Sequence, residues 1–472
     1  MNSDPIWRLV DELGPRYIDL ADRVWAVPET LYQEFRSSAE HAAMLETEGY
    51  KVTRGLAGIE TALMGEAGEG GPVIAFLGEY DALPGLSQEA GSTTHNPVEA
   101  DGPGHGCGHN LLGSASMLAA SAVKDYLAAN KLPGRVRYYG CPAEEGGAGK
   151  TFMVRAGCFD DVDIAICWHP AAFPGVIEPD SLANTRIDFS FAGRAAHAAA
   201  SPHLGRSALD AVELMNVGVN YLREHMPSDA RVHYAVVDTG GIAPNVVQAQ
   251  ARVRYSVRAG TTPAMFELLG RVRKIAQGAA LMTETAVSET VLAGVSNLLG
   301  NPPLERAMHA QLERLGPPEF DEADRAFAAE IRKTVGPEDI ASDYYRLGLP
   351  FDRDKLMADR IVPLDAKSHM SGSTDVGDVS WVVPTVQAHG ATYAIGTQLH
   401  TWQMTAQGKL PAAHKGMVHV AKALAALATE VLTKPELLAA AKTDHAGRTA
   451  DTPYTCPIPP EVNPPRRKAA GA

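Results

Sequence analysis

The chain is poor in cysteine, in aromatic residues and in long apolar runs. Five cysteines in 472 residues are too few and too irregularly spaced for a disulfide framework. The odd count predicts a reduced, cytoplasmic protein, as does an N-terminus (MNSDPIWRLVDELGPRYIDL) that carries acids through an amphipathic pattern in place of a signal-peptide apolar region. No run of about 18 consecutive apolar residues occurs, so no membrane span is expected. Basic residues are in the minority, 42 against 56 acidic, for a net charge of −14. Without a compensating basic patch this argues against nucleic acid or an anionic membrane as partner. The densest basic run, PPRRKAA, is short and lies in a Pro-rich tail.

What remains is an ordinary globular balance, 45% hydrophobic and 21% charged, in a chain long enough for two domains. The first half alternates helical and strand patterns. Ser38 to Tyr50 and Leu111 to Ala129 read as helices, and VIAFL (Val73 to Leu77), RVRYYGC (Arg135 to Cys141) and DIAICW (Asp163 to Trp168) as strands. This predicts an α/β fold with a mostly parallel sheet flanked by helices. From Asn184 the order becomes strand–helix–strand–strand–helix–strand, that of a ferredoxin-like unit. The expected organisation is a discontinuous catalytic domain over 1–183 and 294–440, an inserted lid and dimerisation domain over 184–293, and a poorly ordered tail over 441–472. GATYAIGTQLH (Gly390 to His400) reads as a further strand ending in a histidine, followed by a helix over about 412–433.

The stretch GHGCGHN, Gly104 to Asn110, sets a thiol and two imidazoles among glycines that leave nothing to pack. In parallel α/β sheets, ligand groups lie just beyond the carboxyl ends of strands. Asp81 follows one strand, Glu144 and Glu145 a second, and His169 and His400 are expected at the ends of two more. With Cys107 and His109 they form a thiolate, imidazole and carboxylate set, which suits zinc or manganese better than calcium or magnesium. Two close divalent ions explain the number of donors, with one of the paired glutamates coordinating and the other remaining a general base. Asp81 suits the role of orienting a ligand imidazole.

The motifs EYDALPG, GHGCGHN, PAEEGGAGK, WHP and GRAAHA, in this order, resemble the dinuclear-metal amidohydrolase and metallopeptidase family of carboxypeptidase G, the aminoacylases and the auxin-conjugate hydrolases. GHGCGHNLLG, STDVGDVSWVVPTVQ and LHTWQMTAQGK are most similar to its p-aminobenzoyl-glutamate hydrolase branch, and there to the B-type subunit. The resemblance covers about residues 15–435. It implies two divalent ions per chain, manganese or zinc, held by Cys107, His109, Glu145, His169 and His400, with Glu144 as general base. It also implies that His197 contacts the reacting carbonyl from the lid of a partner in a homodimer, that Asn245 and Arg258 lie near substrate, and that His105 is only a neighbour of the ligands. The implied substrate is a small N-acyl amino acid, its acyl group aromatic, and a homologous partner subunit is a further implied requirement. Two departures from many relatives, Asn110 in place of Asp and HTWQM in place of His-x-Pro-x-Phe, bear on substrate more than on metal. His414 competes with His400 for the last ligand role.

Three other functions fit less well. Deamination of an aromatic ring would use the same site. A catalytically silent ligand-binding or partner subunit would have little need of the Glu144–Glu145 pair. A nucleophilic or redox Cys107 leaves Glu145, His169 and His400 unexplained.

Overall fold

The computed structural model describes residues 4–177, 179–367 and 372–466. Strands are numbered in chain order. β1 (Lys51–Arg54), β2 (Leu63–Glu69), β3 (Val73–Glu79), β4 (Gly134–Cys141), β5 (Ile164–Ala171) and β6 (Gly175–Val176) precede an insertion made of β7 (Ala183–Ala192), β8 (Arg231–Asp238), β9 (Gln250–Ala259) and β10 (Ala286–Val295). β11 (Thr385–Ala391) then returns to the first sheet. That sheet has the order β1-β2-β4-β3-β5-β11-β6. Its central strands β4, β3, β5 and β11 are parallel, and the flanking strands pair antiparallel.

Every residue of β3 and β11 is buried, because helices cover both faces of the sheet, and strands in that setting carry no polar alternation. Helices Pro5–Trp25, His109–Asn130 and Pro411–Thr433 pack together on one face. Pro411–Thr433 is long and apolar enough to cross a membrane, but most of it is buried in this core. Helices Gly149–Arg155 and Val376–Val382 cover the other face.

The inserted sheet, order β10-β7-β9-β8, is antiparallel throughout. Helices Ala208–Leu222 and Thr262–Thr283 cover one face only. β9 accordingly alternates between buried and open positions, the pattern of a half-covered sheet.

Three expectations change. GATYAIGTQLH is not a strand: β11 begins earlier, at Thr385, and ends at Ala391. His400 therefore follows in a turn, with a left-handed φ of 61°. His169 does not lie beyond a strand end but within β5, opposite His389. The tail, expected to be loose, starts with a helix, Pro435–Thr449, and then packs down. The Tyr454 hydroxyl donates to Asp378 at 2.9 Å and Arg155 donates to the carbonyls of Pro459 and Val462, while Ile458 is buried. Residues 467–472 lie outside the described part.

Candidate active site

The glycines of GHGCGHN serve close approach. A Cβ on Gly104 would stand 2.0 Å from the Leu86 carbonyl oxygen, and Gly108 adopts a φ of +77° that only glycine takes without strain. This turn delivers Cys107 and then His109, the first residue of its helix. The loop after β4 delivers Glu144 and Glu145 between Ala143 and Ala148, both left-handed at φ near 60°. Such strain is held only where surroundings over-determine it. Here Glu34 accepts from the Ala143 amide at 3.0 Å, and the Tyr32 hydroxyl donates to the Gly147 carbonyl at 2.5 Å.

With His169 on β5 and His400 in its own turn, these loops bring together all five expected donors. Cys107, His109 and His169 form one cluster and Cys107, Glu145 and His400 a second, with the ligand atoms of each lying within 4.8 Å of one another. The Cys107 sulfur is 3.3 Å from His169 Nε2, and His400 Nε2 is 3.3 Å from Glu145 Oε1. Donors bound at about 2.0–2.3 Å to one ion lie roughly 3–3.5 Å apart. Asp81 accepts from His109 Nδ1 at 2.9 Å and, through its other oxygen, from the Glu145 amide at 2.9 Å. It thus fixes the ring so that Nε2 offers its lone pair.

The site is short of cations. Glu79 Oε2, His109 Nε2 and Glu145 Oε1 are buried without a hydrogen-bond partner, although such atoms are almost always satisfied. Burial, followed by the like charges of Glu79 and Glu145, pushes the Glu144 carboxyl well above the usual range. Burial, with Glu145 adding to it, also pushes the Cys107 thiol up. Unpartnered oxygen and nitrogen atoms beside the Cys107 sulfur, converging from strands, a helix terminus and loops, fit divalent metal ions.

Three residues at the site went unassigned in the sequence. Glu79 lies 3.3 Å from His109 Nε2 and joins His109 and Glu144 in a third donor cluster. Its other oxygen accepts from the fully buried Lys150 at 2.6 Å, and Lys150 also donates to Asp375 at 2.7 Å. Burial opposes the Lys150 charge, but Asp375 and Glu79 outweigh it and hold the ammonium protonated. Glu79 had a signal, since it stands two residues before Asp81 and thus on the same side of an extended chain.

Other expected residues fall outside this cluster. His105 bonds the Val24 carbonyl, and Asn110 joins the Ala21 and Gly408 carbonyls. His414 pairs with Asp22 at 2.9 Å, whereas His400 clusters with Cys107 and Glu145. Arg258 lines a cavity of about 700 Å³ together with Cys107, Glu144, His169 and His400. His197 and Asn245 do not line it. Both are exposed on paired lid turns, where the Asn245 carbonyl accepts from Ala198.

A donor-rich cleft between an α/β domain and a ferredoxin-like lid is the architecture of a metal-dependent amidohydrolase, which this protein is. Residues 75–335 match peptidase family M20/M25/M40, and the chain belongs to that family. It is 47% identical to the B-type subunit of the p-aminobenzoyl-glutamate hydrolase of Escherichia coli (strain K12), covering 97% of this chain and 98% of that one. It is 30% identical to the Xaa-Arg dipeptidase of Mus musculus over 91% and 88% of the two chains. A dinuclear metal-binding M20 peptidase from Bacillus subtilis shares the fold, with a TM-score of 0.59 at 18% identity over 90% of this chain and 99% of that one.

Proposed function

We propose that the protein hydrolyses the amide bond of an N-acyl amino acid with an aromatic acyl group, p-aminobenzoyl-glutamate being the leading candidate, in the cytoplasm. The observation that carries this reading is the pair of donor clusters sharing Cys107, beside a half-buried glutamate, Glu144, that neither of the two uses. Cys107, His109 and His169 would hold one ion and Cys107, Glu145 and His400 the other, manganese or zinc. Bound there, the ions supply Lewis acidity to the amide carbonyl and lower the pKa of the attacking water. Glu144 takes the proton from that water and returns it to the leaving nitrogen. Asp81 keeps His109 in the tautomer with Nε2 free, and Lys150 holds Glu79 in place.

His197 supports an assembly of two chains. Its Nδ1 accepts from the amides of Ala199 and Ala200 at 3.2 and 3.1 Å, so the neutral ring carries its proton on Nε2. That donor, exposed on its own chain, suits the oxyanion that forms in a partner's cleft, and Asn245 travels with it. β8 is an edge strand exposed along nearly its whole length, with Tyr234, Val236 and Val237 open beside Val217 and Tyr221 of the neighbouring helix. Bare edges of this kind pair with a second chain, a copy of this one or, as the name of the Escherichia coli relative suggests, a homologous subunit. The reading is tested by purifying the protein, loading it with manganese or zinc, and measuring p-aminobenzoate release from p-aminobenzoyl-glutamate. Release that requires the metal is expected, and inertness toward every N-acyl amino acid tried contradicts the reading.

A further inference from the structure

Strands β5 and β11 lie side by side in parallel register, His389 paired with His169 and Gln387 with Cys167. Paired residues show their side chains on one face of a sheet, and the next residue along each strand turns to the other. Val386 and Ala388 accordingly enter the core under the helices Pro5–Trp25, His109–Asn130 and Pro411–Thr433. Gln387 and His389 instead line the cavity that holds the metal donors. Both are buried, yet neither side chain has a hydrogen-bond or ion-pair partner among the described residues. Buried polar groups are almost always satisfied, and these two can find partners only in the cavity. The walls beside them are mostly apolar, built from Ala172, Ile177, Leu347 and the ring of Tyr393. The Ile177 amide donates to the Gln387 carbonyl at 2.9 Å and ties that wall to β11. Apolar walls over a polar floor suit an aromatic ring that carries a polar group.

The strand order tells which half of a substrate this pocket takes. Along β4-β3-β5-β11, Glu144 follows β4 at one end of the row of donors. His389 stands at the other end, next to His169. Arg186 overhangs the Glu144 end, where it donates to the Gly146 carbonyl at 3.3 Å. Glu144 hands its proton to the leaving nitrogen, so the amino-acid half lies at that end and the acyl half points toward β11. Resting on the N-acyl amino acid reading, we propose that Gln387 and His389 are the floor of the acyl pocket and read an amino group on the aromatic ring, each accepting from one of its two N–H bonds. A neutral imidazole nitrogen and a carboxamide oxygen both supply such an acceptor. Gln387 stands two residues deeper along β11, roughly 7 Å at the backbone, so an amino nitrogen between the two is held at two points. A ring with a methyl group in that place leaves both acceptors unpaired.

The test uses the metal-loaded full chain and three glutamate conjugates, with p-aminobenzoyl, benzoyl and p-methylbenzoyl as the acyl group. Methyl matches the amino group in size and cannot donate. The wild type should favour the amino over the methyl conjugate in kcat/KM. His389→Leu and Gln387→Leu should each cut that ratio by about tenfold, the scale of one hydrogen bond to a group otherwise left unpaired. His389→Asn keeps an acceptor and should fall between. A ratio that stays unchanged while all three rates fall assigns the pair to folding or to the support of His169, and overturns the proposal. A wild type that does not distinguish amino from methyl overturns it as well. Calorimetry supplies a readout independent of turnover. p-Aminobenzoate should bind the wild type more tightly than p-methylbenzoate, and His389→Leu should shrink that preference. A wild type inert to all three conjugates contradicts the amidohydrolase reading, and calorimetry then decides the pocket by itself: equal binding of the two acids overturns it.

Discussion

On the catalytic side of the cleft, Glu79 Oε2, His109 Nε2 and Glu145 Oε1 are buried lone-pair atoms without a donor, whereas on the lid side Arg258 Nε is a buried donor without an acceptor. The two sides are unsatisfied in opposite senses, and each deficit names its ligand: cations for the first, an anion for the second. The strands behind them differ in the same way. β3, covered on both faces, offers the site only its last residue, Glu79, and the loop that follows it. β7 and β9, covered on one face, display side chains directly. In the catalytic domain the chemistry gathers at or near the carboxyl ends of strands, with His169 still inside β5, whereas the lid displays its side chains along the strands.

Breaking the catalytic side should have the largest effect. Cys107 belongs to both donor clusters, so Cys107→Ala should lose bound metal from both positions and abolish turnover, as should exhaustive chelation of the wild type. Metal analysis and residual rate check this together. Glu144→Gln keeps the shape and the metal but removes the basic oxygen. Its turnover should fall by about 10²–10⁴ with metal content unchanged, and a loss of only a few-fold would move the proton to another group.

With His197 donating to the oxyanion as proposed, His197→Ala should cost about 10²–10³ in kcat. Mixing it with Glu144→Gln under conditions that exchange subunits sharpens the picture, because one site in the mixed dimer would have neither defect. Recovered activity places His197 in the partner's cleft, and proven exchange without recovery removes it from that role. The smallest effect belongs to the residue that only orients. Asp81→Asn should weaken metal binding by about 10–100-fold, as loss of such partners does, measured by competition with a chromophoric chelator.

Much of this was legible before the structure. The apolar run of β3, the alternation of the lid strands and the convergence of Cys107, His109, Glu145 and His169 follow from local pattern and from the family resemblance. His400 was chosen for a wrong reason, since it closes no strand and sits in a left-handed turn set by the Gly106 carbonyl accepting its amide. What local pattern could not show is pairing over long separations. Lys150 and Asp375 meet across 225 residues, and nothing near either one marks it as buried and ion-paired. Arg186 likewise looks like any polar residue of an alternating strand until the register sets Asn184, and not an acid, opposite Arg258. The tail misled because proline-rich composition resembles disorder, while Tyr454 and Ile458 find partners only in the folded domain.

The central claim is that the two donor clusters and Glu144 act together on an amide bond. Its most direct measurement is p-aminobenzoate release from p-aminobenzoyl-glutamate by chelated protein titrated with manganese or zinc. Activity should rise to a plateau at two ions per chain, and Glu144→Gln should bind the same two ions without that rise. Full activity in the chelated protein, or a plateau of equal height for Glu144→Gln, would contradict it.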